Sequence, residues 1–409
     1  MTESSKYNVG GVLLDRPFKV RRLGHFGFNL DSFEPGVHFY RDLLGFRVSD
    51  TVDFAPLLPA GHEADVDSTV GCFMTHGTDH HSHVIFPKKA FELMAAGAPG
   101  PREPSAVTTN QISWQVGTLR EVRDGIDYFE SVGITPTRAG RDTPGSNWHC
   151  YLLDPDGHTN EIYYGMEQVG WDLRSKPGAT GQRGFHFMPE LPQISEYQEL
   201  DAFRAEGVDL ASGHRHTEAG PFSYDVGGVL LPRPFKVAKV GPVRLFVLDV
   251  QRSVDWYTRV LGLRVTEEID FRGHRCVFLR CNTEHHSLAL YPVELRDEIG
   301  LSPHTTCLSL GNQLGDYQQL RDAVDYLSSK GVEIKYLAPE LCPGIDYSAF
   351  ALDPDGHAVQ LYYYMEQVGW DGRTREPAHR RQVDNGNWPE TLESFIDTFD
   401  GETLLGPLG

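Results

Sequence analysis

A long internal repeat is the feature that most limits how this chain can fold. The segment DPDGHTNEIYYGMEQVGWD begins at Asp154 and returns as DPDGHAVQLYYYMEQVGWD at Asp353. The segment YNVGGVLLDRPFKV, which begins at Tyr7, returns as YDVGGVLLPRPFKV at Tyr224. A repeat of this length indicates one structural unit that is built twice, so the period has to be recognised before single elements are assigned.

The two copies set the predicted domain boundaries. We predict repeat one over residues 1–172, a connector over 173–223, repeat two over 224–371 and a C-terminal tail over 372–409. The connector is rich in Gly, Pro and charged residues, which is typical of a linker. Its stretch SEYQELDAFRAEG predicts one short helix, and a second is predicted in the tail around Leu392 to Phe399.

Each copy divides again into two modules with the order β-α-β-β-β. In the first module Val37, Tyr40 and Leu44 follow helical spacing, and Gly45 can end that helix before the next strand. Apolar residues at helical spacing and a closing glycine recur in the other three modules. The DPDG sequence predicts a tight turn between two strands. The predicted fold class is therefore α+β, with four βαβββ modules paired into two tandem domains.

Composition restricts the partners and the compartment that we expect. The formal net charge is -20, which makes nucleic acid an unfavourable partner. No apolar run reaches the roughly 18 residues that a membrane span needs, and the polar start MTESSKYN has no apolar signal-peptide region. The six cysteines show no paired metal-binding spacing. We therefore expect a cytoplasmic protein that contacts neither nucleic acid nor membrane.

The four modules resemble a known superfamily. The segments GHFGF, FYRDLLGFRV, HHSHVIF and GSNWHCYLLDPDGHTNEIYY resemble the vicinal oxygen chelate (glyoxalase/bleomycin resistance/dioxygenase) superfamily. Within it, the chain is most similar to the two-domain type I extradiol ring-cleavage dioxygenases. The likeness covers about Arg16–Asp172 and Arg233–Asp371. It implies that paired modules curl a sheet around a metal ion, with ligands at inward-facing strand positions.

The resemblance also implies a ligand set. In repeat one the family's positions fall on His25, Gln111 and Glu161, and a fourth, used by some isomerases, falls on His83. In repeat two the same positions fall on Pro242, Thr305, Gln360 and Leu288. Side chains able to bind a metal fill all four positions only in repeat one. We therefore predict that repeat one carries the functional site and that repeat two has a structural role.

The second ligand position leaves alternatives open. A register shift of one residue would present Asn110 in place of Gln111, and His304 of repeat two could be borrowed across the domains. A neutral amide is a weaker metal donor than imidazole.

The resemblance places further roles around the metal. His81 falls on the family's acid–base position, and Tyr151 falls on the phenol that hydrogen-bonds the substrate oxygen. The His80–His81 pair returns in repeat two, which indicates that the pair is partly structural. The residues expected to line an aromatic pocket are Trp114, Trp148, His149 and Tyr163.

Three functions compete. The first is an Fe(II)-dependent extradiol-type dioxygenase that cleaves a catechol-like or related small phenolic substrate with O2. The second is a non-redox isomerase or lyase using Mn, Co, Ni or Zn, which Gln111 and His83 favour, because four protein ligands leave no position for O2 beside a chelating substrate. The third is a metal-free small-molecule binding protein. Two-domain members of this family usually associate, so we expect a homo-oligomer.

Overall fold

Each repeat forms one eight-stranded mixed sheet in the computed structural model. The structure describes residues 6–62, 65–95, 107–141, 145, 147–169, 172–180, 190–218 and 220–392. The predicted tail helix around Leu392 to Phe399 lies almost entirely outside these residues. Among the described residues, no helix is both long and apolar enough to cross a bilayer.

The described residues of repeat one form ten strands and three α-helices. The strands are β1 (Tyr7–Val9), β2 (Val12–Leu14), β3 (Arg22–Leu30), β4 (Arg47–Asp53), β5 (Val70–Thr75), β6 (His83–Pro87), β7 (Thr109–Gln115), β8 (Arg138–Arg141), β9 (Trp148–Leu153) and β10 (Thr159–Tyr164). The helices are α1 (Phe33–Val37), α2 (Lys88–Ala95) and α3 (Leu119–Ser131). Helix α4 (Glu196–Ala205) follows in the connector, where its prediction is confirmed; Ser195 and Gln198 close a capping box at its start.

Repeat two has the same content. Its strands are β11 (Tyr224–Val226), β12 (Val229–Leu231), β13 (Val237–Val247), β14 (Arg264–Phe271), β15 (His274–Arg280), β16 (Leu288–Pro292), β17 (Cys307–Leu314), β18 (Ile334–Lys335), β19 (Ser348–Leu352) and β20 (Ala358–Tyr362). Its helices are α5 (Val250–Trp256), α6 (Leu295–Ile299) and α7 (Tyr317–Ser329).

The strand order confirms the predicted fold class. The large sheet of repeat one has the order β4-β5-β6-β3-β7-β10-β9-β8, and that of repeat two has the order β14-β15-β16-β13-β17-β20-β19-β18. In each sheet the two modules meet at their first strands, which pair antiparallel as β3 with β7 and as β13 with β17. The four βαβββ modules therefore form two tandem domains.

The first helix forms where the apolar spacing predicts it. Helix α1 runs directly into a π-helical turn over His38–Leu43, and together they bury Val37, Tyr40 and Leu44. Gly45 follows with φ +87°, a left-handed conformation that favours glycine, so the helix ends there before β4.

The packing of α3 shows which face of the sheet is which. Gly125 of α3 lies so close to β10 that a Cβ there would be 2.8 Å from Ile162 Cδ1. Ile162 therefore points toward the helix. Because successive strand residues alternate faces, Glu161 and Tyr163 point to the opposite face. That second face carries the polar residues described below.

The DPDG turns are formed as predicted, and they also join the two repeats. Asp154 Oδ1 accepts hydrogen bonds from the backbone N–H groups of Asp156 (2.9 Å) and His158 (2.8 Å). His158 Nε2 then lies 2.8 Å from Thr306 Oγ1 of repeat two, and Tyr257 OH of repeat two donates to Asp154 Oδ2 at 2.9 Å. The equivalent contacts in the opposite direction join Asp353 of repeat two to Tyr40 of repeat one, and His357 to Thr108. Each repeat therefore completes a buried polar network with the other.

The segment after repeat two is held by a charged cluster, which gives a pH-dependent prediction. Arg380 donates to Glu267 Oε1 (3.0 Å) and Oε2 (2.7 Å) and to Glu366 Oε2 (2.9 Å), and His285 Nε2 lies 2.8 Å from Glu267 Oε2. Burial alone would raise the pKa of Glu267, but His285 and Arg380 lower it from 4.5 to about 2.

Replacing Glu267 with glutamine should lower the melting temperature at pH 7. Because the folded-state pKa lies below the unfolded one, the contribution of Glu267 is complete above its ordinary pKa and is lost as the pH falls toward 2. The difference between wild type and E267Q should therefore shrink as thermal melts move from pH 7 to pH 3. E333Q, at an exposed position, is the control, and an unchanged gap between the curves across that range would contradict the assignment.

Candidate metal centre in repeat one

His25 and Glu161 come together on the polar face of the sheet. They lie on β3 and β10, which flank β7, and Ser113 of β7 is the cross-strand partner of both. His25 Nε2 lies 2.8 Å from Glu161 Oε2, and both side chains are buried. Residues 136 positions apart in the chain thus meet in one cluster.

Two further residues orient the Glu161 carboxylate. Ser113 Oγ donates to Glu161 Oε2 at 2.5 Å, and Asn147 Nδ2 donates to Oε1 at 2.8 Å. The sequence reasoning missed both. The signal for Ser113 was its position two residues after Gln111 on the same strand, which places both side chains on one face.

Glu161 carries its negative charge inside the protein. Burial alone would raise its pKa, but the charge and hydrogen bond of His25, together with His149 and Ser113, lower the pKa to about 2. A buried carboxylate needs a cationic partner or strong donors to offset the loss of water. The cluster is therefore suited to hold a positive charge.

Gln111 lies on the same face as Ser113, diagonally across from His25. Its cross-strand partner on β3 is Gly27, and its Oε1 accepts a hydrogen bond from Tyr151 OH at 3.1 Å. The alternative residue Asn110 is the extra residue of a β-bulge in β7, and its Nδ2 donates to Asn29 Oδ1 at 3.0 Å. Because Tyr151 is the cross-strand partner of Glu161, its contact places Gln111 on the face that carries Glu161.

His81 lies beside His25, with ring centres 4.5 Å apart. Burial lowers the pKa of His81 well below 6.5, and the charges of His25 and His80 lower it further. At neutral pH the ring is therefore uncharged and able to accept a proton. His81 Nδ1 lies 3.0 Å from His80 Nδ1, and the same 3.0 Å separation joins the corresponding pair, His285 and His286, in repeat two.

Tyr163 and His149 also lie on this face. The rings of Tyr163 and His25 have centres 4.7 Å apart. A Cβ at residue 24 would be 1.7 Å from Tyr163 OH, so only Gly24 leaves room for that phenol. His149 Nδ1 lies 3.9 Å from Glu161 Oε1, and burial lowers the pKa of His149 to about 3.

Three residues expected at the site lie on the other face of the sheet. The ring of His83 packs against Tyr40 and Phe46, with ring centres 4.4 and 5.3 Å away. Trp114 follows Ser113 on β7, so its buried side chain points to the opposite face, where Nε1 donates to Asn160 Oδ1 at 2.9 Å. Trp148 alternates with His149 on β9. The structure does not bring His83, Trp114 or Trp148 to His25 and Glu161.

The strand register corrects one position in repeat two. Gln360 pairs with Gly311 as Glu161 pairs with Ser113, so the counterpart of Gln111 lies two residues before Gly311, at Ser309. The expectation of Thr305 was wrong by four residues. Thr305 precedes β17, and its hydroxyl donates to Cys307 O at 2.8 Å.

The residues of repeat one fit a divalent metal ion. Two donors that each lie about 2.1 Å from a metal and about 90° apart are about 3 Å from each other. His25 Nε2 and Glu161 Oε2, at 2.8 Å, match that separation. Within the described part of the chain, no group of three His, Cys, Asp or Glu side chains is arranged to hold a metal. The remaining predicted ligand on this face is Gln111, so its amide oxygen is the candidate for a third protein donor.

Comparisons with known proteins agree with this fold. A family model described as "Glyoxalase/Bleomycin resistance protein/Dioxygenase superfamily" matches residues 22–162 and 239–361. Metapyrocatechase 2 of Cupriavidus necator is 29% identical over 138 residues, which cover 34% of this chain and 34% of that protein. Biphenyl-2,3-diol 1,2-dioxygenase 2 of Rhodococcus globerulus is 34% identical over 111 residues, which cover 26% of this chain and 53% of that protein.

The matched segments thus span between a third and about half of these two relatives. Among solved structures, a catechol 2,3-dioxygenase superposes with a TM-score of 0.53 over 90% of this chain and 97% of its own, at 16% identity. At that identity the likeness concerns the fold.

Proposed function

Because the chain belongs to the glyoxalase/bleomycin resistance protein/dioxygenase superfamily, we propose that it is an Fe(II)-dependent extradiol-type dioxygenase. Its proposed substrates are a catechol-like or related small phenolic compound and O2. The observation that carries this proposal is the buried contact of His25 with Glu161, with the uncharged imidazole of His81 beside it. The names of the two curated relatives support the same reaction class.

His25, Glu161 and Gln111 would hold the metal from three strands. Ser113 and Asn147 would keep the Glu161 carboxylate in place through the hydrogen bonds described above. When bound, Fe(II) supplies a centre at which a catechol and O2 bind side by side and exchange electrons.

The remaining steps belong to protein side chains. His81 holds its Nδ1 against His80, so its Nε2 is the atom that would take a proton from the substrate hydroxyl and return it later. Tyr151 OH, which now donates to Gln111 Oε1, would donate to a substrate oxygen on the same face.

Replacing His81 with glutamine should lower kcat about 100-fold or more and leave KM within a few-fold, because a general base acts mainly in the transition state. Oxygen uptake with the best substrate of a catechol panel measures both constants. H274Q, a histidine change on the surface of repeat two, is the matched control. An H81Q enzyme with the wild-type kcat would remove the proposed role.

The proposal as a whole is tested by reconstitution. The full chain, loaded anaerobically with Fe(II), should consume one O2 per catechol and give a yellow ring-opened product. A chain that retains stoichiometric zinc and consumes no oxygen with any member of the panel would contradict it.

Gln111 favours a second candidate, a non-redox metal isomerase or lyase. An amide donor holds a metal more weakly than imidazole and suits Lewis-acid chemistry as well as oxygen chemistry. If Gln111 is a ligand, Gln111→His should lower the metal dissociation constant about 10-fold or more, measured by chelator competition. An unchanged constant would show that this residue does not bind the metal. Gains in oxygen uptake for Q111H would favour the dioxygenase over the isomerase.

A further inference from the structure

A buried arginine occupies the centre of the corresponding face in repeat two. Val243 pairs with Leu310 as Phe26 pairs with Ile112, so Arg244 stands where repeat one has Gly27. Arg244 is fully buried. A glycine between the proposed metal ligands of one repeat is thus replaced in the other by a fixed positive charge.

Every group that Arg244 is seen to contact is neutral. It donates to Gln360 Oε1, which replaces Glu161, and to His286 Nε2 at 3.0 Å. Burial lowers the pKa of His286 well below 6.5, so that imidazole is uncharged. Burial also raises the pKa of the nearby thiol of Cys342. No ion pair to Arg244 is found among the residues that the structure describes.

Two polar atoms on this face lack any hydrogen-bond partner. Arg244 Nε and Ser309 Oγ are both buried and both unsatisfied. Arg244 and Ser309 are direct cross-strand partners on β13 and β17, so their side chains leave the sheet on the same face. Buried polar groups almost always have hydrogen-bond partners, and a buried charge without a counter-charge is strongly destabilising. A bound ligand would supply a hydrogen-bond partner to both Arg244 Nε and Ser309 Oγ.

A cavity opens in repeat two on the far side of the Gln360 side chain. It has a volume of about 430 Å³, within the range of small-molecule sites, and Cys342 and Gly344 form part of its wall. Cys342 Sγ lies 3.7 Å from Gln360 Nε2, and Gln360 in turn contacts Arg244. Arg244 and Ser309 do not line this cavity, so a ligand would reach them past the side chain of Gln360.

We infer that repeat two binds a small monoanion, such as a carboxylate, between the Arg244 guanidinium and the Ser309 hydroxyl. The charge pattern of the two repeats is inverted. In repeat one the buried carboxylate of Glu161 would bind a cation. In repeat two the buried guanidinium of Arg244, with the amide of Gln360 beside it, would bind an anion. The second repeat is then a binding site of its own and not only scaffold.

Thermal melts of the full chain test this inference with sodium formate as the probe, at constant total sodium balanced with sulfate, a larger dianion. The wild type should show a rise of about 3 °C at about 100 times the dissociation constant, and the rise should follow the logarithm of the formate concentration. Arg244→Met keeps the volume and removes the charge, a change that buried sites often tolerate, and it should show no formate dependence. R259M, at an exposed arginine, should respond as the wild type does.

Two milder variants keep the test decisive if R244M fails to fold. Ser309→Ala should weaken formate binding about 10-fold. Gln360→Glu places a carboxylate beside the guanidinium, so it should raise the melting temperature without formate and abolish the response to formate. Acetate and benzoate then report the size of ligand that the site accepts.

Three outcomes would overturn the inference. One is a formate response that R244M, S309A and Q360E all share with the wild type. A second is a wild-type melting temperature that does not change with formate concentration. A third is a crystal structure grown in sodium bromide that shows only an ordered water, without anomalous density, between Arg244 and Ser309.

Discussion

Replacing Glu161 with glutamine is expected to remove the bound metal and to lower turnover by more than about 100-fold. Changes to residues that only orient a metal ligand cost about 10–100-fold, so loss of the one anionic ligand should exceed that range. The side chain is the one that repeat two carries at Gln360, which shows that the fold accepts an amide at this position. The loss should therefore be chemical and not structural.

Metal content after dialysis and oxygen uptake measure the two effects of E161Q. Circular dichroism and the melting temperature verify that the variant is folded. The matched control is E130Q, on the exposed side of α3, which should keep both metal and activity. A fully metal-loaded E161Q enzyme would show that the carboxylate does not hold the ion.

Replacing Asp154 with alanine should lower the free energy of unfolding by about 3–5 kcal/mol, the cost of breaking a buried charged network. Asp154 accepts hydrogen bonds from two backbone N–H groups and from Tyr257 OH, and lies 2.8 Å from His158 Nδ1. All of these groups would stay buried without their acceptor.

Urea unfolding of D154A, read by tryptophan fluorescence, measures this loss. Asp353→Ala breaks the mirror-image network and should cost a similar amount. D127A, at an exposed position on α3, is the control and should change stability by no more than about 0.5 kcal/mol. A loss below 1 kcal/mol in both D154A and D353A, on the order of an ordinary surface change, would mean that the turns do not hold the repeats together.

Elements with a strong local signal were predictable from the sequence. The helix carrying Val37, Tyr40 and Leu44 has 3.6-residue spacing and a glycine stop, and the DPDG turn has its own local chemistry. His25 and Glu161 could be paired because the resemblance supplied the contact between distant strands. Strand alternation alone could not have done so.

Predictions that depend on the face of a strand that a residue occupies, or on the pairing register of two strands, could not be made reliably from the sequence. His83 begins β6, and its neighbour Val84, not His83, faces the site, since one residue changes the face. Thr305, and not Ser309, was assigned as the counterpart of Gln111, because only the pairing of β17 with β20 fixes which residue of β17 occupies that position. Ser113 and Asn147 were missed because their role is a contact with Glu161, which no local pattern encodes.

The reciprocal contacts of the DPDG turns bear on why the second copy has been kept. A duplicated domain that loses its metal ligands is ordinarily free to drift or to be deleted. Here the DPDG turn of each copy is followed by a histidine whose Nε2 hydrogen-bonds a threonine of the other copy, Thr306 or Thr108. Selection for a folded first half therefore acts directly on the second, whatever that half binds.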